Sequence, residues 1–289
     1  KYIYASQESG ELLKYSSDNF GLFPISLGSD EKNKFKPLLD VLKDRRDHIH
    51  NAEKTFNEKI IPVGAFAKFT GSNLIDTWNH IINNSDLSLK CDSKNSIGNL
   101  LTTKKKLIID IVSLLTIHET KIKDNIVKTF GKLGIAQSTI NEIVRALTEQ
   151  KMLKERGSSY SEMSSDDEFR LYDINSKSIE RNINYLEDLL DWIKHNCDVI
   201  SCKAALKINR KVRVQFNNLL TKSFMDTILI ASEEGNLFYS DDGPLRLIAK
   251  EKFGVNGIWT QEVLLECLKR NNITINDYNK IIVKLLSFN

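Results

Sequence analysis

The stretch Leu237–Val255, LFYSDDGPLRLIAKEKFGV, runs a short apolar segment into two adjacent carboxylates, a Gly-Pro turn and then a helix-like pattern. A short apolar run bounded by turn signals reads as a buried strand. Asp241 and Asp242 therefore close a strand, where two like charges sit side by side. Segments of the same kind recur on either side: KKLIID (105–110), GIAQ (134–137), DVISC (198–202), NLFYS (236–240) and GIWT (257–260). Amphipathic helical stretches separate them. Parallel strands need long crossovers, most simply helices, so this alternation predicts an α/β fold. The expected architecture is a doubly wound parallel sheet of about five strands with helices on both faces.

Residues 1–95 read as a mainly helical N-terminal region. It opens on a short strand, KYIYAS (1–6), and continues into a charged surface helix, KFKPLLDVLKDRRDHIHNAEKTFNEKI (34–60). IPVGAFAKFTGSNLIDTWNHII (61–82) predicts two short helices broken at Gly71-Ser72-Asn73, with Ser72 or Asn73 as an N-cap. The Ser- and Asn-rich stretch 83–103 reads as a connection, and the α/β domain as 104–289. Within it, KERGSSYSEMSSDDEFRLYDINSKS (154–178) breaks the rhythm and reads as a mobile insertion or small hairpin.

At 289 residues, with 41% hydrophobic and 27% charged residues, the chain has the composition of a soluble globular protein. No apolar run approaches the roughly 18 residues of a membrane span and no signal peptide is evident, so a cytoplasmic protein without membrane contact is expected. Because the chain begins with Lys1, it reads as a piece of a longer protein. Four cysteines without CxxC spacing (Cys91, Cys197, Cys202, Cys267) argue against structural zinc. A formal charge of +3 is too small by itself to announce a nucleic-acid binder.

In open α/β sheets ligands bind beyond the carboxyl ends of the strands. Asp110 closes the first strand of the alternating region, Glu142 lies early in the helix after GIAQ with Ser138 or Thr139 as its cap, and Asp226 begins the helix that leads to NLFYS. Asp241 and Asp242 close that strand. Singly, each has a structural explanation: the helix dipole favours early acids, and Asp is a common turn residue. Together they pose an electrostatic problem. Two carboxylates ~4 Å apart repel by ~4 kcal/mol at an effective dielectric near 20, so a cluster of four calls for cations, and the sequence offers no evident Lys or Arg partner. Hard oxygen ligands suit Mg²⁺ or Mn²⁺, which activate water and neutralise a phosphodiester transition state.

Asp110 in LIIDIVSLLTI, Glu142 in GKLGIAQSTINEIVRAL, Asp226 in SFMDTILIASEEG and Asp241-Asp242 in LFYSDDGPLRLIA resemble the four acidic motifs of PIN domains, in the family's order. The resemblance spans about Lys104–Leu286 and is most like the PIN domains at the C-terminal end of large bacterial tetratricopeptide-repeat proteins. It implies a metal-dependent endoribonuclease fold, with Asp110, Glu142 and Asp226 as Mg or Mn ligands and Asp242 or Asp241 completing the catalytic set. Asp242 is favoured by its spacing from Ser240. Ile111-Val112 depart from the Ser, Thr or Asn that many members carry after the first Asp. Single-stranded RNA is the implied substrate, and upstream repeat domains are the implied partners.

Candidate phosphate contacts are the run Lys207, Arg210, Lys211 and Arg213 in KINRKVR and Arg246, which is placed to pair with a site carboxylate or a substrate phosphate, with Lys104–Lys106, Lys250 and Lys252 as further cations. A charge run is equally read as a solvated helix face. Two rival readings remain. The PIN fold serves as a non-catalytic interaction module, or Arg45 and His50 in RRDHIH form the R-x4-H of a metal-independent HEPN ribonuclease. A dinucleotide-binding enzyme is disfavoured because no GxGxxG follows the first strand.

Overall fold

The computed structural model describes residues 36–91, 101, 105–156, 159–165, 168–173, 175–206 and 208–288. The strand expected at 1–6 lies outside them. They fall into two compact units, one drawn from 1–51 and 157–174, the other from 52–156 and 175–289.

In the first unit, β3 (Ser159–Ser165) and β4 (Glu168–Asp173) form a two-stranded antiparallel hairpin, the smaller of the two forms expected for that segment. Helix α1 spans Lys36–Glu58 and places Arg45 and His50 on exposed positions.

The second unit holds a five-stranded, all-parallel sheet in the order β5-β2-β1-β6-β7. The strands are β1 (Lys106–Ile109), β2 (Leu133–Ala136), β5 (Cys197–Ile200), β6 (Asn236–Tyr239) and β7 (Gly257–Ile258), each within two residues of the expected segment. The central strands β1, β2 and β6 are apolar and buried almost throughout, as parallel strands covered by helices must be. Edge strand β5 exposes Val199. Gly134 in β2 is a packing requirement: a Cβ there would collide with Ile108 Cδ1 and lie 3.2 Å from Ile200 Cγ1.

Helices surround the sheet: α4 (Ile111–Glu119), α5 (Lys123–Phe130), α6 (Gln137–Arg156), α7 (Ser176–Asn196), α8 (Arg210–Leu219), α9 (Lys222–Ala231), α10 (Gly243–Phe253), α11 (Thr260–Lys269) and α12 (Ile275–Leu286). Residues 111–118 of α4 and 223–231 of α9 are buried all round, the mark of core helices rather than amphipathic surface ones. Residues 52–91 belong to the same unit as the sheet. They include α2 (Val63–Thr70) and α3 (Leu74–Asn83), separated at Gly71 in the left-handed conformation. Asn73 caps α3 by accepting the Asp76 N–H. Phe56 stacks on Phe66 at 4.6 Å and joins this helical pair to the core. The four cysteines are free thiols, and no described helix is long and apolar enough to cross a membrane.

The chain leaves β1 toward β2 and leaves β6 in the opposite direction, toward β7. The sheet's switch point therefore falls between the carboxyl ends of β1 and β6, where Asp110 and Ser240-Asp241-Asp242 lie.

Candidate active site

Asp110 is the residue after β1 and the N-cap of α4, so strand end and helix start fix it together. Its Oδ1 accepts the Ser113 N–H at 2.8 Å, and its Oδ2 accepts the Ser240 hydroxyl. The Ser240 backbone follows β6, whose register sets Tyr239 beside Ile109. Asp110 is fully buried. Burial pushes its carboxyl up to about 7, against the pull of the Ser240 and Ser113 hydrogen bonds, and the neighbouring Asp242 and Asp241 push it the same way as burial.

Asp241 and Asp242 part company. Asp241 turns to α11, taking the Thr260 N–H at 2.8 Å on Oδ1 and the Thr260 hydroxyl at 2.6 Å on Oδ2. Its own N–H donates to Ser113 Oγ. Burial raises its carboxyl above the ordinary range. Asp242 caps α10, accepting the Leu245 N–H at 3.0 Å on Oδ1, while its Oδ2 accepts the Val63 N–H at 2.7 Å from the first turn of α2. Burial brings it up to about 6 despite those two bonds and the nearby Arg246 guanidinium. Both aspartates are 1% exposed. All six carboxylate oxygens of Asp110, Asp241 and Asp242 thus accept a hydrogen bond from the protein.

The other two acids stand apart from this trio in their bonding. Asp226, on α9 and 8% exposed, pairs with Arg213 Nη2 of α8 at 3.0 Å. Glu142 is half-buried on α6; burial raises its carboxyl, Arg145 and Lys68 lower it, and Glu149 raises it. Among the described residues no group of three or more His, Cys, Asp or Glu side chains is arranged to hold a metal ion. Each of the six oxygens of Asp110, Asp241 and Asp242 accepts one hydrogen bond, which takes one of its two lone-pair directions and leaves the other. A hard cation there would share those oxygens with the backbone N–H and hydroxyl donors.

Cations that looked absent from the sequence are present. Arg213 of α8 pairs with Asp226, Arg246 of α10 pulls down the carboxyls of Asp241 and Asp242, and Arg145 and, more weakly, Lys68 do the same for Glu142. The expectation that the acids have no basic partners is corrected accordingly, and so is the assignment of a cap to Ser138 or Thr139. Helix α6 begins at Gln137, and both hydroxyls are buried without a partner.

Of the candidate phosphate contacts, Arg246 is 4% exposed and donates to the carbonyls of Ser240 and Cys91, with the Gly257 backbone close against its stem. Arg210 and Lys211 are exposed at the start of α8, where Asn209 caps the helix. Arg213 is engaged with Asp226, and Lys207 lies outside the described residues. Sequence reasoning missed Ser240, Thr260 and Val63 as partners of the aspartates. Ser240 carried a local signal, since a hydroxyl directly before a carboxylate pair at a strand end is placed to bond the neighbouring strand's end.

A parallel α/β domain with carboxylates gathered at the sheet's switch point defines the class to which this chain belongs. Residues 108–251 match a known family, described as the PIN domain associated with the TPR-GreAB-C-PIN system, and the chain carries a PIN domain of that family. No curated protein and no solved structure matches the chain. PIN domains are generally nucleases that use divalent metals, and the family's description ties this one to a tetratricopeptide-repeat system.

Proposed function

We propose that this chain is an endoribonuclease of the PIN class that cleaves phosphodiester bonds in single-stranded RNA, in the context of a repeat-containing partner system. The observation that carries the reading is the meeting of Asp110, Ser240 and Asp242 at the switch point, within the family-matched segment that also holds Asp226 on buried helix α9. In this reading Asp110, Glu142, Asp226 and Asp242 are the metal-binding and catalytic carboxylates, and Mg²⁺ or Mn²⁺ is the ion. Asp241, held by Thr260, acts as a support: its backbone N–H fixes Ser113, whose own N–H orients Asp110. Arg210 and Lys211 offer exposed positive charge for the RNA backbone.

The test is cleavage of an end-labelled single-stranded RNA with Mg²⁺, with Mn²⁺ and with chelator, comparing the native chain with Asp110→Asn and Asp226→Asn. Metal-dependent cutting lost in both variants supports the reading. Cutting that persists in chelator and disappears in Arg45→Ala refutes it in favour of the R-x4-H alternative.

One observation favours a second reading, a non-catalytic PIN-fold interaction module. Every carboxylate oxygen of the three switch-point aspartates accepts a hydrogen bond from the protein, as buried structural residues do. A folded chain that neither cuts RNA nor binds Mn²⁺ under any condition, variants included, would establish it.

A further inference from the structure

The amino edge of the sheet gathers charge of the opposite sign from the switch point. Lys106 opens β1, Lys132 directly precedes β2, Asp198 lies in β5 and Arg270 caps the end of α11. With Lys105 these side chains line a cavity of about 450 Å³. At ~3.3 Å per residue, the four steps of chain from Lys106 to Asp110 put ~13 Å between the two edges. Lys105 and Lys106 therefore serve a place of their own rather than the carboxylates.

The lining holds four cations and one carboxylate. Lys106 donates to Asp198 Oδ2, and that hydrogen bond, with the charge of Lys132 added to it, holds the Asp198 carboxyl below the ordinary range. Arg270 is fastened by Glu266 Oε1 at 2.8 Å and by the Thr129 carbonyl at 3.2 Å. The second bond covers a carbonyl in the last turn of α5, where the helix dipole would otherwise repel an anion. Among the described residues neither Lys105 nor Lys132 forms an ion pair, so two ammonium groups are left for a ligand.

The rest of the lining is largely apolar. Leu107 of β1 and Leu237 of β6 are buried and stand side by side in register, and Phe130 ends α5 with its ring 5.5 Å from the Arg270 guanidinium carbon. Lysine ammonium groups suit phosphate as point charges, and a guanidinium beside an aromatic ring suits a flat partner. The volume falls within the roughly 300–1,000 Å³ of small-molecule sites. Cations and an aromatic wall in one concave space fit a ligand with phosphates at one end and a flat ring at the other.

We propose that this cavity is a binding site for a nucleotide carrying two or more phosphates, with Lys105, Lys106 and Lys132 taking the phosphates and Phe130 and Arg270 taking the base. The site goes beyond the nuclease reading and stands whether or not the carboxylate edge cuts RNA.

The test is calorimetric titration of the whole chain in chelator with ADP, GDP, CDP and UDP, and with pyrophosphate and adenosine as the two halves of the ligand. Circular dichroism and thermal melting establish that each variant folds. At least one diphosphate is expected to bind one per chain, more tightly than pyrophosphate or adenosine. Lys105→Gln with Lys132→Gln is expected to weaken it at least about tenfold, since each lysine supplies a charge-assisted hydrogen bond. Phe130→Leu is expected to weaken the nucleotide and spare pyrophosphate. Arg210→Gln with Lys211→Gln, which removes the same charge from α8, is expected to leave nucleotide affinity unchanged.

No binding of any of the four diphosphates, or equal losses in the two double variants, would overturn the proposal. Pyrophosphate binding as tightly as every nucleotide would reduce the cavity to a bare anion site, and that comparison decides the matter on the native chain if Phe130→Leu does not fold. A short single-stranded RNA that displaces the nucleotide, and whose own affinity falls in the Lys105 and Lys132 variant, would instead assign the cavity to an RNA path and overturn it too.

Discussion

Neutralising Asp110 should make the protein more stable in alkali and leave it little changed in acid. Burial lifts the Asp110 carboxyl from an ordinary 3.8 to about 7. A group whose folded pKa is raised binds its proton more tightly in the native state. Its favourable contribution is complete below the unfolded value and is lost as pH rises through the folded one. Integrated between pH 5 and pH 8, that linkage takes away about 3 kcal/mol from the native chain. Asp110→Asn is free of it. The asparagine Oδ1 still accepts the Ser113 N–H, and its Nδ2 faces a Ser240 hydroxyl that can accept as well as donate, so the residual hydrogen-bond change is largely independent of pH. The measurable quantity is the difference in urea unfolding free energy between variant and native chain, in chelator, at pH 5, 6, 7 and 8. It should grow in the variant's favour by about 3 kcal/mol across the series, or about 6–12 °C in melting temperature at roughly 2–4 °C per kcal/mol. A difference that stays flat from pH 5 to 8, or grows in favour of the native chain, would refute the assignment of Asp110 as a buried carboxyl that titrates near neutrality.

Thr260→Val keeps the shape of its side chain but removes the hydroxyl donor to Asp241 Oδ2 and the hydroxyl partner of buried Tyr239; a loss of about 3 kcal/mol in urea unfolding at pH 8 is expected, with part of it recovered as acid protonates Asp241. Gly134→Ala drives a methyl into Ile108 and Ile200 across the sheet and should destabilise by about 1–3 kcal/mol in thermal melts; an unchanged melting temperature would mean that β1 and β5 side chains do not meet over that glycine. Replacing both Arg210 and Lys211 by Ala should lower the salt dependence of single-stranded RNA binding, measured by anisotropy in chelator, by about 0.7 in log–log slope for each phosphate that is no longer neutralised, and an unchanged slope would take α8 out of the RNA path.

The five strands are legible in the sequence because each is a short, largely apolar run set between helical stretches, and the fold class follows from that alternation. The helices at 63–70 and 74–83 are legible from the break at Gly71-Ser72-Asn73 and the Asn73 cap. What periodicity cannot carry is which distant groups meet at the strand ends. Val63 and Asp242 are 179 residues apart, Ser240 and Asp110 are 130 apart, and each bond exists only because two elements converge on one sheet edge. One clue to α2 does lie in the sequence. VGAFAKF is apolar nearly all round, and such a helix has no face to give to water, so it must be buried against something. Crowded carboxylates call for cations only where nothing else relieves the repulsion, and donors and protons relieve it equally well. Near neutrality Asp110 and Asp242, at about 7 and about 6, hold part of their protons, while Ser113, Ser240, Leu245 and Val63 supply the hydrogen bonds. A cluster balanced in that way is stable without an ion. An ion that binds Asp110 and Asp242 must compete with those protons, so divalent-metal affinity should rise with pH through this range.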